Sequence, residues 1–295
     1  MSRVIPLKEE MDTKKKGAYE NASAHFASQF VIYKDYEVCL GEEDINGDQE
    51  KYIRASTDEF VIFDPSHYSG HLYLEIAKIE LDTETKIYKD NVQGKETEKQ
   101  LEVPKINSKK SKNSLIKFCK KFGLLGVRDR KYTHIQVREN DFLEGPKSIY
   151  LHDVKEDFID SDLVEVIYRM KIAVGHIERL TDGTITEKER NELDSIVNSE
   201  LTFVYRRIQR KGEEYHPQLL FASLIDFAWW QLQEAMLGNI NYRRCKNDKC
   251  GNIFAVIHGN QNFCPPAPRT KTSACLNAYK QRKRRQKQKN SLEFL

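Results

Sequence analysis

At 295 residues, 39% hydrophobic and 32% charged, the chain can bury a core without disulfide staples, and its composition excludes an intrinsically disordered or collagen-like protein. The net charge of +3 hides an asymmetry: residues 241–295 carry thirteen Lys or Arg against two acids, or +11, which leaves −8 for residues 1–240. No run of eighteen apolar residues occurs and the N-terminal stretch lacks the apolar centre of a secretory signal, so a cytoplasmic protein without membrane insertion is expected, in a reducing compartment where clustered thiols serve metals rather than disulfides.

Two short β-rich stretches open the pattern: "SQFVIYKDYEVCL" and "DEFVIFDP", the second stopped by a proline, predict two or three strands before about residue 70. Cys39 lies in the first of them with no neighbouring thiol and reads as packing. In "HLYLEIAKIELD", Leu72, Ile76 and Ile79 sit at helical spacing. The stretch 83–112 is polar, Lys-rich and broken by Gly94 and Pro104, which predicts an exposed insertion or mobile loop. "NSLIKFCKKFGLLG" predicts a helix closed by Gly123, with Cys119 on its apolar side.

From about Asp153 the periodicity is helical. Leu163, Val166, Ile167, Met170, Val174 and Ile177 form one apolar stripe, and Thr186 with Glu189 has the spacing of a capping box opening a second helix in "TITEKERNELDSIVNSELTFVYRRIQR". A third helix is expected to start at Pro217 and end at Gly238; its body, "QLLFASLIDFAWWQLQEAML", has so little polar face that burial on most sides follows. Asp226 within it needs a partner, for which Arg206 and Arg207 are candidates, and His176 reads as a satisfied, half-buried histidine. The fold class expected is α+β: N-terminal strands, a mainly helical body over residues 1–240 and a small C-terminal module over 241–295.

That module holds four of the six cysteines. Cys245 and Cys250 are separated by four residues, Cys264 follows after thirteen and Cys275 after ten more, so a short turn can deliver the first two thiolates and longer loops the others. Gly251 stands where a tight turn needs a positive φ, and Phe254 and Phe263 could supply a minimal core. Four thiolates predict a closed, structural Zn²⁺ site rather than a catalytic one, with two alternatives open: His258 in place of one thiolate, or no metal. After the last cysteine, "LNAYKQRKRRQKQK" is rich in helix formers and places seven Lys or Arg between Lys280 and Lys289. A metal-fixed platform carrying such a helix points to nucleic acid, because each cation placed on a phosphate releases counterions. On a helix, Asn277, Lys280, Arg284 and Lys287 share a face with Lys283 at its edge, while Arg282, Arg285 and Lys289 point away. The candidate contacts are Asn277, Lys280, Arg282, Lys283, Arg284, Arg285 and Lys287.

At these residues the sequence resembles the bacterial CGNR-type zinc-finger proteins, in which a helical N-terminal domain precedes a four-cysteine finger and an Arg-rich helix. The resemblance rests on "RRCKNDKCGNIF", "NFC" and "CLNAYKQRKRR", with "LLFASLIDFAWWQLQEAMLGN" leading into the finger and "IKFCKKFGLLG" further upstream. It implies zinc on Cys245, Cys250, Cys264 and Cys275 and a DNA-binding, transcription-regulator-like role. Where that family has Gly-Asn-Arg after the last cysteine, this chain has Leu276, Asn277 and Ala278. The expected partners are DNA first and RNA second, with the acidic body sensing a ligand or pairing two copies as a homodimer. Two further readings compete: an interaction protein whose finger is only structural, and a cryptic nuclease or hydrolase built on Asp226 and His176; no Walker loop, nucleophile elbow, dinucleotide fingerprint or zincin motif occurs, so motifs do not support an enzyme.

Overall fold

A computed structural model describes residues 25–26, 28–43, 49–65, 71–92, 95–127, 150–201, 204–211, 213–238, 241–256, 259–266 and 272–292. The architecture is α+β, as expected. Among the described residues no helix is long and apolar enough to cross a membrane.

The strands before residue 70 pair into two small sheets. β2 (Ser28–Tyr33) lies between β5 (Phe60–Phe63), antiparallel, and β8 (Tyr150–His152), parallel. β4 (Gln49–Ala55) lies between β3 (Tyr36–Glu43) and β9 (Glu156–Phe158), both antiparallel. A third sheet places β11 (Glu214–Phe221) between β1 (His25–Phe26) and β10 (Val204–Lys211). The buried hydroxyl of Ser28 joins the first sheet to the third: it donates to the Phe221 carbonyl at 3.2 Å and accepts from the Phe221 N–H at 2.9 Å.

Helices fill the space between them. α1 (Leu72–Ile76) contributes Leu72, Tyr73 and Ile76 to the core, and α2 (Lys109–Phe122) contributes Leu115, Phe118, Cys119 and Phe122. α2 ends at Gly123 with φ +94, where an added Cβ would stand 2.8 Å from the Val31 carbonyl oxygen, so glycine is required there. α3 (Val164–Thr181) buries the predicted stripe, and α4 (Glu187–Glu200) opens with both halves of the Thr186/Glu189 capping box. α5 (Leu224–Leu237) is buried on nearly every side from Leu224 to Leu232, as its composition requires.

Three expectations are corrected. The polar stretch 83–112 is not a loop: β6 (Asp82–Val92) and β7 (Lys95–Lys105) form an eleven-residue antiparallel ribbon, followed directly by α2. Its Thr, Ile, Tyr and Val residues favour strands, but charges on both faces conceal the alternation. The helix opened by Thr186 stops at Glu200, and Val204–Lys211 is a strand. Pro217 does not start the third helix. It lies within β11 opposite Ile208, and among the described residues β1 pairs with Gln218 and Leu219 but not with the proline. The helix instead starts after Ser223, whose hydroxyl caps the Asp226 N–H at 3.4 Å.

The C-terminal segment is docked on this body. Ile253 belongs to the main hydrophobic core with Tyr242 packed against it, the Tyr242 and Tyr73 hydroxyls are 2.9 Å apart, and Arg244 meets Asp182 beyond the end of α3 at 2.5 Å.

Candidate metal centre and basic helix

Two three-residue strands frame the cysteines: β12 (Tyr242–Arg244) pairs antiparallel with β13 (Ile253–Ala255). Between them the chain folds into a knuckle held by its own backbone. The Cys245 N–H donates to the Asn252 carbonyl at 2.8 Å, and the Cys250 N–H to the Asn247 carbonyl at 2.7 Å. Gly251 closes the turn at φ +64, the positive value its place predicts. The Lys246 N–H reaches the Asn262 carbonyl at 2.8 Å, which draws the segment bearing Cys264 against the knuckle.

Cys245, Cys250, Cys264 and Cys275 converge, with one Sγ from each lying within 4.8 Å of the others and those of Cys250 and Cys264 3.6 Å apart. Metal–sulfur bonds of about 2.3 Å in a tetrahedron require sulfurs roughly 3.8 Å apart, so the four side chains fit a tetrahedral metal ion. Their electrostatics agree. Burial and the negative charge of Cys250, Cys245 and Cys275 push the Cys264 thiol far up, and burial with the neighbouring Cys250 raises Cys275. Burial opposes ionisation of Cys245 too, but backbone donors from Cys264 and Asn247 outweigh it and hold that thiol below its ordinary value. Four thiols so close cannot all ionise unaided; a divalent cation removes the conflict. His258, the alternative ligand, lies outside the described residues, as do residues 267–271 of the excursion between Cys264 and Cys275.

α6 (Ala274–Leu292) starts inside the cluster, with Cys275 as its second residue. Ser273 supports this first turn: its hydroxyl accepts from the Leu276 N–H at 3.3 Å and its carbonyl from the Asn277 N–H at 3.1 Å. The Tyr279 ring packs on Phe263 at 5.2 Å between centroids, so Phe263 finds its partner in the helix, whereas Phe254 is buried beneath the strands. Asn277, Lys280, Lys283, Arg284 and Arg285 are exposed. The Asn277 amide donates to the Thr272 hydroxyl at 3.2 Å, and the Lys283 ammonium stands 5.1 Å from the Tyr279 ring centroid. Lys287 lies on the helix, its side chain outside the described ones. Arg282 differs from the rest: it is half-buried, donates to the Asn247 side-chain oxygen and lies 3.9 Å from Asp248. Asn247 and Tyr279 are the site residues that sequence reasoning missed; the one signal was a lone aromatic in an otherwise polar helix.

The two polar residues considered for catalysis have separate structural contacts. Asp226 is fully buried and accepts the Ser223 hydroxyl at 2.5 Å, which makes it part of the α5 cap; the side chains of Arg206 and Arg207 lie outside the described ones. His176 is buried on α3, with Nδ1 2.8 Å from the Arg179 guanidinium and Nε2 3.2 Å from the Glu192 carboxylate. No family model, curated protein or solved structure matches the chain.

Proposed function

We propose that this is a zinc-dependent nucleic-acid-binding protein, transcription-regulator-like and akin to the CGNR-type finger proteins, that grips duplex DNA with α6. The observation that supports this reading is the position of Cys275 in the first turn of the helix: the ion that gathers the thiolates also holds the base of a cationic rod. Zn²⁺ is the ion this donor set suits in a closed, four-thiolate site. A helix fits the major groove, and Lys280, Lys283, Arg284 and Arg285 are exposed to meet phosphates or base edges. The charge of +11 in residues 241–295 drives association, while the −8 of the remainder limits non-specific adhesion of the body.

The test uses the full chain purified under reducing conditions. Elemental analysis is expected to find one zinc per chain, and anisotropy titrations over a salt series should give tighter binding to duplex DNA than to single-stranded RNA or heparin. Replacing Lys280, Lys283 and Arg285 together with Ala should reduce the slope of log K against log salt by about 2.7, from roughly 0.9 per phosphate contact. Metal-free protein, or an unchanged slope, would refute the proposal. Equal affinity for heparin would replace it with the interaction-protein reading.

A further inference from the structure

Asn247 sits within the knuckle with only 6% of its surface exposed. Against burial, the Asn247 backbone beside Cys245 and the Asn247 side chain beside Cys275 each favour the thiolate, on two sulfurs thirty positions apart in sequence. The Asn247 carbonyl receives the Cys250 and Gly251 N–H groups. Its side-chain oxygen accepts from the Arg282 guanidinium. Thiolates accept and guanidinium donates, so the amide has one orientation that satisfies both ends: nitrogen to sulfur, oxygen to Arg282.

Arg282 stands seven positions after Cys275, two helical turns, and Tyr279 lies between them at spacings of four and three. These three side chains make one stripe, and each is fastened to the finger: Cys275 by the cluster, Tyr279 by the Phe263 ring and Arg282 by Asn247. Asn277, Lys280 and Arg284 occupy a different, exposed face. With Asp248 3.9 Å away and its guanidinium committed to Asn247, Arg282 is badly placed for a phosphate.

We propose that Asn247 and Arg282 are positioning residues that couple the metal centre to the orientation of the basic helix, and that Arg282 touches no nucleic acid. Groups that hydrogen-bond metal-bound thiolates fix ligand geometry, and their loss commonly weakens metal binding by about 10–100-fold. The inference rests on the zinc and nucleic-acid reading given above.

Asn247→Asp keeps the acceptor for Arg282 but turns a second acceptor toward the Cys275 thiolate. It should weaken zinc, measured by competition with a chromophoric chelator, by about 10–100-fold, while the cobalt-loaded protein still shows thiolate-to-metal charge transfer at saturation. Arg282→Ala should lower duplex DNA affinity about tenfold at every salt concentration without changing the salt slope, whereas Lys280→Ala makes the slope shallower by about 0.9. Arg282→Lys keeps the charge but not the planar fork, so it should fall with Arg282→Ala; a phosphate contact would survive that change. Three results would overturn the proposal: wild-type zinc affinity in Asn247→Asp, a shallower slope in Arg282→Ala, or full rescue by Arg282→Lys. A wild-type chain that bound neither zinc nor DNA would remove the underlying reading as well, and is told apart by needing no variant.

Discussion

His71, immediately before α1, is 4% exposed, and burial lowers its imidazole pKa to about 4. An unfolded histidine titrates near 6.5, so between those values the unfolded chain binds the extra proton and stability must fall as pH drops from 6.5 toward 4. The difference amounts to about 3 kcal/mol, and denaturant unfolding of wild type and His71→Gln at pH 7 and pH 4.5 should show most of that dependence missing from the variant. On α6, the exposed Asn277 and Arg284 carry the groups able to pair with adenine and guanine edges. Selection from a randomised duplex pool should enrich a modest sequence preference that Asn277→Ala and Arg284→Ala flatten, while Lys289→Ala only weakens binding evenly; a pool recovered without enrichment would leave the helix a backbone grip. The four cysteines could be read from spacing alone because short turns between thiols are what a four-sulfur metal site needs. Asn247 could not, since a polar residue inside a knuckle is ordinary until its two hydrogen-bonding ends are seen to face sulfur and guanidinium.

At the scale of elements, helices with one apolar stripe and a local stop were legible before any coordinates: α2 with Gly123, α3, and the capping box of α4 all lie where periodicity puts them. Elements whose identity depends on a partner strand were not. β6 and β7 carry charges on both faces and leave Ile87, Tyr88 and Leu101 more than 40% exposed, so neither strand shows a buried face to betray it. β10 and β11 were hidden by Pro217, which reads as a helix start yet sits within β11 opposite Ile208. Turns that depend on close approach behave alike: Gly123 reads as a helix stop, yet the greater constraint comes from Val31 across the fold. Gly123→Ala must adopt φ +94 and displace a backbone carbonyl 2.8 Å from its Cβ, which should cost about 2–3 kcal/mol in denaturant unfolding. Gly251→Ala, with open space around its Cβ, should cost only the strain of a positive φ, about 1 kcal/mol.

Over the whole molecule, the division at residue 240 that charge suggests is crossed by packing. Ile253 of β13 is 4% exposed within the body's core, Tyr242 of β12 reaches the Tyr73 hydroxyl at 2.9 Å, and Arg244 reaches Asp182. The ion pair is exposed on both sides and contributes little, so the apolar contact decides the coupling. Losing the buried Ile253 contact costs about 2–3 kcal/mol of hydrophobic stabilisation, and in a chain of this size each kcal/mol moves the melting temperature by roughly 2–4 °C. A metal ion held by the four cysteines would therefore stabilise the body through Ile253 and Tyr242 as well as the C-terminal segment. Calorimetry of the reduced protein should show one cooperative transition, and Cys250→Ser or excess chelator should lower it by roughly 4–12 °C while the far-ultraviolet signal of the body's helices persists below the new midpoint. A body transition left in place by chelation would instead make residues 241–295 an independent finger tethered to an indifferent domain, and the acidic body could then affect nucleic-acid binding only through its charge.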